Sequence, residues 1–188
     1  MFHDIRDYEN TKYIERYKLK SFLTVREFQN QLEYLIQEYD IISSSEIPNL
    51  NTKTNNSKHA ILTFDDGLLD HYHVANILND MGLTGTFLIP TQAVRDRVIM
   101  SVHKIQFLLA SIDEKELVQR ILDLTPKHIP NKYLWEKYSV SQWKNNWWTS
   151  EMVFVTNFLR YQDKWDITNN LFNSLITKDE SGFCDEFY

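Results

Sequence analysis

The chain has the sequence AILTFDDG over residues 60–67 and GTFLIP over residues 85–90. Each stretch contains a short apolar run with β-branched residues, which is typical of a buried strand. Residues 69–81 between them suit a helix that ends at Gly82, a residue type favoured just after a helix C-terminus. This order predicts a βαβ unit, in which a right-handed crossover joins two adjacent parallel strands.

A helix is also predicted before this unit. Thr24 and Glu27 have the spacing of a capping box, in which two side chains satisfy backbone donors at a helix start. Apolar residues then recur at helical spacing, which predicts a helix over residues 24–39. A short strand over residues 40–43 and a surface loop over residues 49–58 follow.

The second half of the chain has a different pattern. Residues 126–149 are rich in Trp, Lys and Asn and show no clear periodicity. We therefore expect one α/β domain over residues 1–188, with the strands in residues 1–95 and a mainly helical segment in residues 96–188. Four stretches there suit amphipathic helices: residues 101–111, 113–124, 150–161 and 164–176.

Composition excludes several classes of protein. The 188 residues have a net charge of −6, which disfavours a nucleic-acid partner bound through its phosphates. A single cysteine, Cys184, allows neither an internal disulfide nor a paired-cysteine zinc motif. No secretory signal begins the sequence and no apolar run is long enough to span a bilayer. These features predict a cytoplasmic protein without a membrane span.

Two acidic side chains follow the end of the first predicted strand. Asp65 and Asp66 are adjacent carboxylates on a loop at a strand's carboxyl end, where α/β folds place reactive groups. Two such carboxylates repel each other unless a cation lies between them or one is protonated. Gly67 permits the positive φ of a sharp turn, so that both can face one pocket. The simpler interpretation is a turn in which Asp66 caps the next helix.

Four segments together resemble one known family. Residues 62–67, Leu-Thr-Phe-Asp-Asp-Gly, resemble the first motif of the polysaccharide deacetylases, also called carbohydrate esterase family four or the NodB homology domain. Residues 1–5, 23–39 and 82–90 resemble the opening, the first helix and the second strand of that family. The resemblance covers residues 1–95 and is weak beyond them.

The resemblance implies a fold and an activity. The family removes acetyl groups, mostly N-acetyl, from polysaccharides on a distorted (β/α) barrel. Carried over, Asp65 is the general base and Asp66 a ligand of a divalent metal, commonly zinc. The implied partner is an acetylated polysaccharide or oligosaccharide. Such a metal polarises the acetamide carbonyl and lowers the pKa of its bound water.

Two family motifs are missing from the sequence. The chain has no His-Ser/Thr-x-x-x-His motif for the two metal-binding histidines, and no matching arginine motif. The closing residues 182–188 resemble the stretch that leads into the histidine motif. We therefore expect a partial barrel that associates with itself or with a complementing C-terminal half. Alone, it is expected to bind zinc weakly and to be inactive, because a catalytic zinc needs three protein ligands.

The histidines and tryptophans offer further candidates. His3 belongs to the family-like opening and is the best candidate to line the pocket beside Gly67. His71 and His73 are two apart, so on a helix they point about 200° apart and cannot chelate one ion together. His59, His103 and His128 are predicted to be structural or solvated. Four tryptophans favour a hydrophobic cap over a sugar-stacking platform: Trp135, Trp143, Trp147 and Trp148.

Two other functions remain open at this stage. One is a non-catalytic carbohydrate-binding or interaction module that is derived from the deacetylase fold. The other is a magnesium site of the phosphoryl-transfer type built on Asp65 and Asp66. The second is disfavoured because the companion Lys and Ser/Thr positions are not recognisable after later strands.

Overall fold

The protein is mainly helical with a few short parallel strands. The structure is a computed structural model that describes residues 1–7, 9, 14–50, 58–140 and 148–188. The chain forms two compact units, one comprising Met1–Arg97 with Cys184–Tyr188 and the other Val98–Phe183. No helix among the described residues is long and apolar enough to cross a membrane.

The first unit contains all six described strands. They are β1 (Asp4–Ile5), β2 (Phe22–Leu23), β3 (Asp40–Ile41), β4 (His59–Ala60), β5 (Leu62–Phe64) and β6 (Gly85–Phe87). They pair in parallel as β1–β2, β3–β4 and β5–β6. Parallel strands with intervening helices give this unit the expected α/β character, while the described strands do not close into a barrel.

Nine α-helices are described. They are α1 (Val25–Glu38), α2 (His71–Asp80), α3 (Thr91–Asp96), α4 (Ser101–Ser111), α5 (Glu114–Leu124), α6 (Asn131–Tyr138), α7 (Ser150–Leu159), α8 (Trp165–Leu175) and α9 (Glu180–Asp185). Short 3-10 helices cover Ile14–Leu19, Ser44–Asn49 and Gln162–Lys164. Most of the loop predicted over residues 49–58 lies outside the described residues.

The parallel strands and the connecting helix of the predicted βαβ unit are confirmed, with the strands shorter than predicted. β5 and β6 are adjacent and parallel, with Phe64 opposite Phe87, and α2 connects them. The next backbone bond continues the ladder, since the amide of Leu88 donates to the carbonyl of Phe64 at 2.7 Å. Helix α2 buries Val74 and Leu78 against the strands, as the helical spacing requires.

Helix α1 begins as the sequence predicts. The Thr24 hydroxyl accepts from the backbone of Glu27, and the Glu27 carboxylate accepts from the backbone of Thr24, so both halves of the capping box form. Phe28 and Leu32, one turn apart, are fully buried in the core of the first unit. That core stacks aromatic rings around β5, with the Phe64 ring 4.8 Å from Phe87 and 5.5 Å from Phe2.

The second unit is helical, and its core is aliphatic and aromatic. The four helices predicted beyond residue 100 are present as α4, α5, α7 and α8, with ends shifted by one or two residues. Helix α6 lies in the stretch without clear periodicity, over residues 126–149, where it buries Leu134 and Tyr138. Trp135 packs on Phe154 with ring centroids 4.6 Å apart, which favours the hydrophobic-cap interpretation. Trp143 and Trp147 lie outside the described residues.

Candidate functional site

Two carboxylates lie where β5 ends. Asp65 and Asp66 follow the last strand residue, Phe64, and the chain then turns through two consecutive residues with positive φ. Asp66 has φ of 76° and Gly67 has φ of 62°. Asp tolerates this left-handed region better than most residues, and glycine adopts it freely. The turn that the sequence predicted at Gly67 is therefore present.

The first residues of the chain lie alongside β5. Phe2 forms a parallel bridge to Phe64, its amide donates to the carbonyl of Thr63 at 2.8 Å, and its carbonyl accepts from the amide of Asp65 at 3.3 Å. Because neighbouring parallel strands advance together, the residue after Phe2 reaches the same edge as the residue after Phe64. This register places His3 beside Asp65.

A second contact holds the backbone of His3. The Nε2 atom of His71 lies 2.6 Å from the carbonyl oxygen of His3. A carbonyl only accepts, so Nε2 of His71 carries the proton. The His71 ring is buried, with centroids 5.8 Å from Phe64 and 5.9 Å from Phe87. His73 is exposed, so the two histidines of α2 face different environments, as their spacing predicts.

The three side chains converge on a small space. Nδ1 of His3 lies 2.6 Å from Oδ1 of Asp65 and 3.4 Å from Oδ2 of Asp66. One ligand atom from each residue lies within 4.8 Å of the other two. The His3 side chain is half exposed, while the two carboxylates are more enclosed. Asp65, Asp66, His3 and Gly67, which sequence analysis selected, therefore come together.

This set of groups suits a divalent cation. Oδ1 of Asp65 is shielded from solvent, and its approach to His3 does not have hydrogen-bond geometry, so within the described residues it accepts no well-formed hydrogen bond. A buried carboxylate oxygen without such a bond is unfavourable unless positive charge neutralises it. One imidazole nitrogen and carboxylate oxygens are ligand types that zinc accepts. Pairing of Phe2 with Phe64 brings His3 to these carboxylates, so the described residues place one imidazole and two carboxylates together.

Buried charges lie next to the site in the same unit. Asp4, almost fully buried, accepts from Nε of Arg6 at 2.6 Å and from Nη2 of Arg16 at 2.8 Å. Nη2 of Arg6 lies 2.8 Å from Oδ2 of Asp70, and both guanidinium groups lie about 5 Å from the ring centre of Phe187. This network was not predicted from the sequence, although Asp4 and Arg6, which flank Ile5, were a visible signal.

Burial perturbs two groups of this network. Desolvation raises the pKa of Asp70 above its usual range, and the negative charge of Asp4 adds to the effect while Arg6 opposes it. Desolvation lowers the pKa of Arg16, although Asp4 opposes that shift. Burial of these charges therefore costs free energy, and the pairing of Asp4 with both arginines offsets part of that cost.

The remaining predicted histidines do not join the site. His103 is buried in α4, and His128 is exposed between α5 and α6, so both belong to the second unit. His59 lies on β4, with Nδ1 3.9 Å from a carboxylate oxygen of Asp40.

Comparison with protein-family models, with curated proteins and with solved structures finds no match to this chain.

Proposed function

We propose that the chain is a metal-dependent carbohydrate deacetylase, which hydrolyses N-acetyl groups of a polysaccharide or oligosaccharide. The observation that supports this proposal is the convergence of His3, which follows the bridge between Phe2 and Phe64, with Asp65 and Asp66 at the carboxyl end of β5. The proposal extends to the fold, in which the short strands of the first unit form part of a distorted (β/α) barrel of the polysaccharide-deacetylase type.

Each carboxylate has a separate role in this proposal. Asp66 holds the divalent cation, most suitably zinc, which when bound polarises the acetamide carbonyl and acidifies a water. Asp65 accepts the proton of the attacking water, because its shielded oxygen faces the same space as Oδ2 of Asp66. The water oxygen then bonds to the acetamide carbon, the C–N bond breaks, and the proton held by Asp65 passes to the departing nitrogen, which yields acetate and a free amine on the sugar.

Gly67 supports the two roles through the backbone. A Cβ at this position would lie 3.0 Å from Cγ2 of Ile89 and 3.1 Å from Cδ of Pro90, so the turn packs closely on the residues that follow β6. This packing fixes the direction in which Asp66 leaves β5. Preorganised carboxylates bind a cation more tightly than flexible ones, because less conformational entropy is lost.

Two variants test the proposal. Asp66→Asn keeps a residue that tolerates positive φ but weakens the ligand, and Asp65→Asn removes the base. We expect calorimetric titration of the chain to show one zinc per molecule, and binding to be lost in Asp66→Asn. We expect zinc-dependent acetate release from acetylated chito-oligosaccharides to be lost in Asp65→Asn, with zinc binding retained. Asp80→Asn, an exposed substitution on α2, is the matched control.

The outcomes separate the alternatives. Equal zinc binding by the wild-type chain and Asp66→Asn contradicts the proposed site. Oligosaccharide binding without acetate release, with zinc bound, favours the non-catalytic carbohydrate-binding module. The ligand count from the sequence alone predicts weak zinc binding and no activity, so the same titration decides between that expectation and the one from the structure.

A further inference from the structure

We propose that His3 is a ligand of the cation, through Nδ1, and shares it with Asp66. This inference rests on the proposed function, since it concerns the same site. It assigns a second ligand to a residue near the start of the chain, far in sequence from the Asp-Asp-Gly motif and outside any His-x-x-x-His spacing. The ligand pair would be completed within the first unit.

The distance between the two donor atoms agrees with joint coordination. Bonds of 2.0–2.1 Å in a tetrahedral zinc site place two ligand atoms about 3.3 Å apart. Nδ1 of His3 and Oδ2 of Asp66 are 3.4 Å apart. Nδ1 of His3 and Oδ1 of Asp65 are 2.6 Å apart, which is too close for two ligands of one ion. The geometry therefore selects Asp66, rather than Asp65, as the partner of His3 on the cation.

The same distances assign different roles to the two carboxylates, Asp65 and Asp66. Nδ1 has a single lone pair or a single proton, so it cannot bind an ion and donate to Asp65 together. When Nδ1 binds the ion through its lone pair, Oδ1 of Asp65 remains beside the site and is not itself a ligand. That leaves Asp65 for the role of base, which the proposed function gives to it.

The backbone around His3 has the rigidity that a ligand needs. Phe2 is bound to β5 through both its amide and its carbonyl, and the next carbonyl, that of His3, is bound by the buried His71. The His3 side chain itself is 52% exposed, so part of the ring is open to solvent. His3 therefore has a fixed backbone and a partly exposed ring, whereas a histidine that serves only in packing has a buried ring.

Zinc binding and imidazole NMR test this inference together. We expect His3→Ala to lower zinc affinity at least about 100-fold, because changes to groups that merely orient ligands already cost 10–100-fold. His73→Ala, on the exposed side of α2, is the matched control and is expected to bind zinc like the wild-type chain. In the 15N-labelled wild-type chain, zinc is expected to shift the Nδ1 resonance of His3 and to leave that of His73 in place.

The outcomes distinguish this inference from the proposed function. Unchanged zinc affinity in His3→Ala, with an unmoved Nδ1 resonance and with binding still lost in Asp66→Asn, overturns the role of His3 and leaves the function standing. Zinc binding that survives Asp66→Asn overturns the site as a whole. If His3→Ala does not fold, the NMR shift in the wild-type chain decides.

Discussion

Two glycines of the first unit adopt the left-handed backbone conformation, and a comparison of their alanine variants measures how tightly the turn at Gly67 is packed. Gly67 and Gly82 have φ of 62° and 67°, almost the same conformation. They differ in their surroundings: a Cβ at Gly82 would meet nothing within 4 Å, whereas one at Gly67 would press on Ile89 and Pro90. Alanine at Gly82 therefore measures the backbone penalty alone, and alanine at Gly67 measures the backbone penalty plus the clash.

The expected magnitudes follow from that difference. A left-handed conformation costs an L-residue about 1–2 kcal/mol, and the stiffer unfolded chain of an alanine variant returns part of it. We expect Gly82→Ala to lower the free energy of unfolding by about 1 kcal/mol. Overpacking adds about 1–3 kcal/mol, so Gly67→Ala should cost about 2–4 kcal/mol.

Urea unfolding followed by circular dichroism measures both variants. All five tryptophans lie between residues 135 and 165, so tryptophan fluorescence reports on the second unit and serves as an internal reference. Equal losses of stability in Gly67→Ala and Gly82→Ala would refute the reasoning, because the close contact with Ile89 and Pro90 would then add nothing. Such a result would also remove the packing argument for a preorganised Asp66.

Three further outcomes are expected. Asp4→Ala should lower the free energy of unfolding, measured by urea unfolding, by about 3–5 kcal/mol, because it leaves two buried guanidinium groups without their shared carboxylate. The control Asp80→Ala, at an exposed position, should change it by less than about 0.5 kcal/mol. Burial raises the pKa of Asp70 in the folded state, so just above the ordinary Asp pKa of about 4 the folded chain binds more protons than the unfolded chain, and the free energy of unfolding falls as pH rises through that window. Asp70→Asn should remove this part of the dependence of stability on pH. A pH profile identical to that of the wild-type chain would contradict this expectation. His71→Phe keeps the ring packing but loses the bond to the His3 carbonyl, so zinc titration should show weaker binding, and His71→Gln, which retains a donor, should bind more tightly than His71→Phe.

The parts of the fold that were predicted from sequence share a local cause. The capping box of α1 involves residues three apart, and β5, α2 and β6 follow one another within one βαβ unit, so their signals lie in short windows. Helix α6 was missed because it offers only two buried positions, Leu134 and Tyr138, which is too few for a visible period. Helix α9 spans only six residues and has the same difficulty.

The site was predictable in part for a similar reason. Asp65, Asp66 and Gly67 are consecutive, and their position after an apolar strand is visible in the sequence. The approach of His3 depends on a pairing between residues 2 and 64, and the bond from His71 spans 68 residues. Contacts at such separations are set by tertiary packing, which neither propensity nor spacing encodes. The same applies to the Asp4–Arg16 pair.

The first unit is discontinuous in sequence, and this has a consequence for how it forms during synthesis. Phe187, whose carbonyl accepts from the amide of Leu69 and whose ring lies beneath two arginines, belongs to that unit. The ribosome makes residues 98–183 between Arg97 and this last segment, which takes about 4–17 s at 5–20 residues per second. During that interval Arg6 and Arg16 lack their contact with the Phe187 ring, while the residues of the second unit are synthesised. Translation speed over residues 98–183 therefore sets the shortest time for which the nascent first unit stays incomplete.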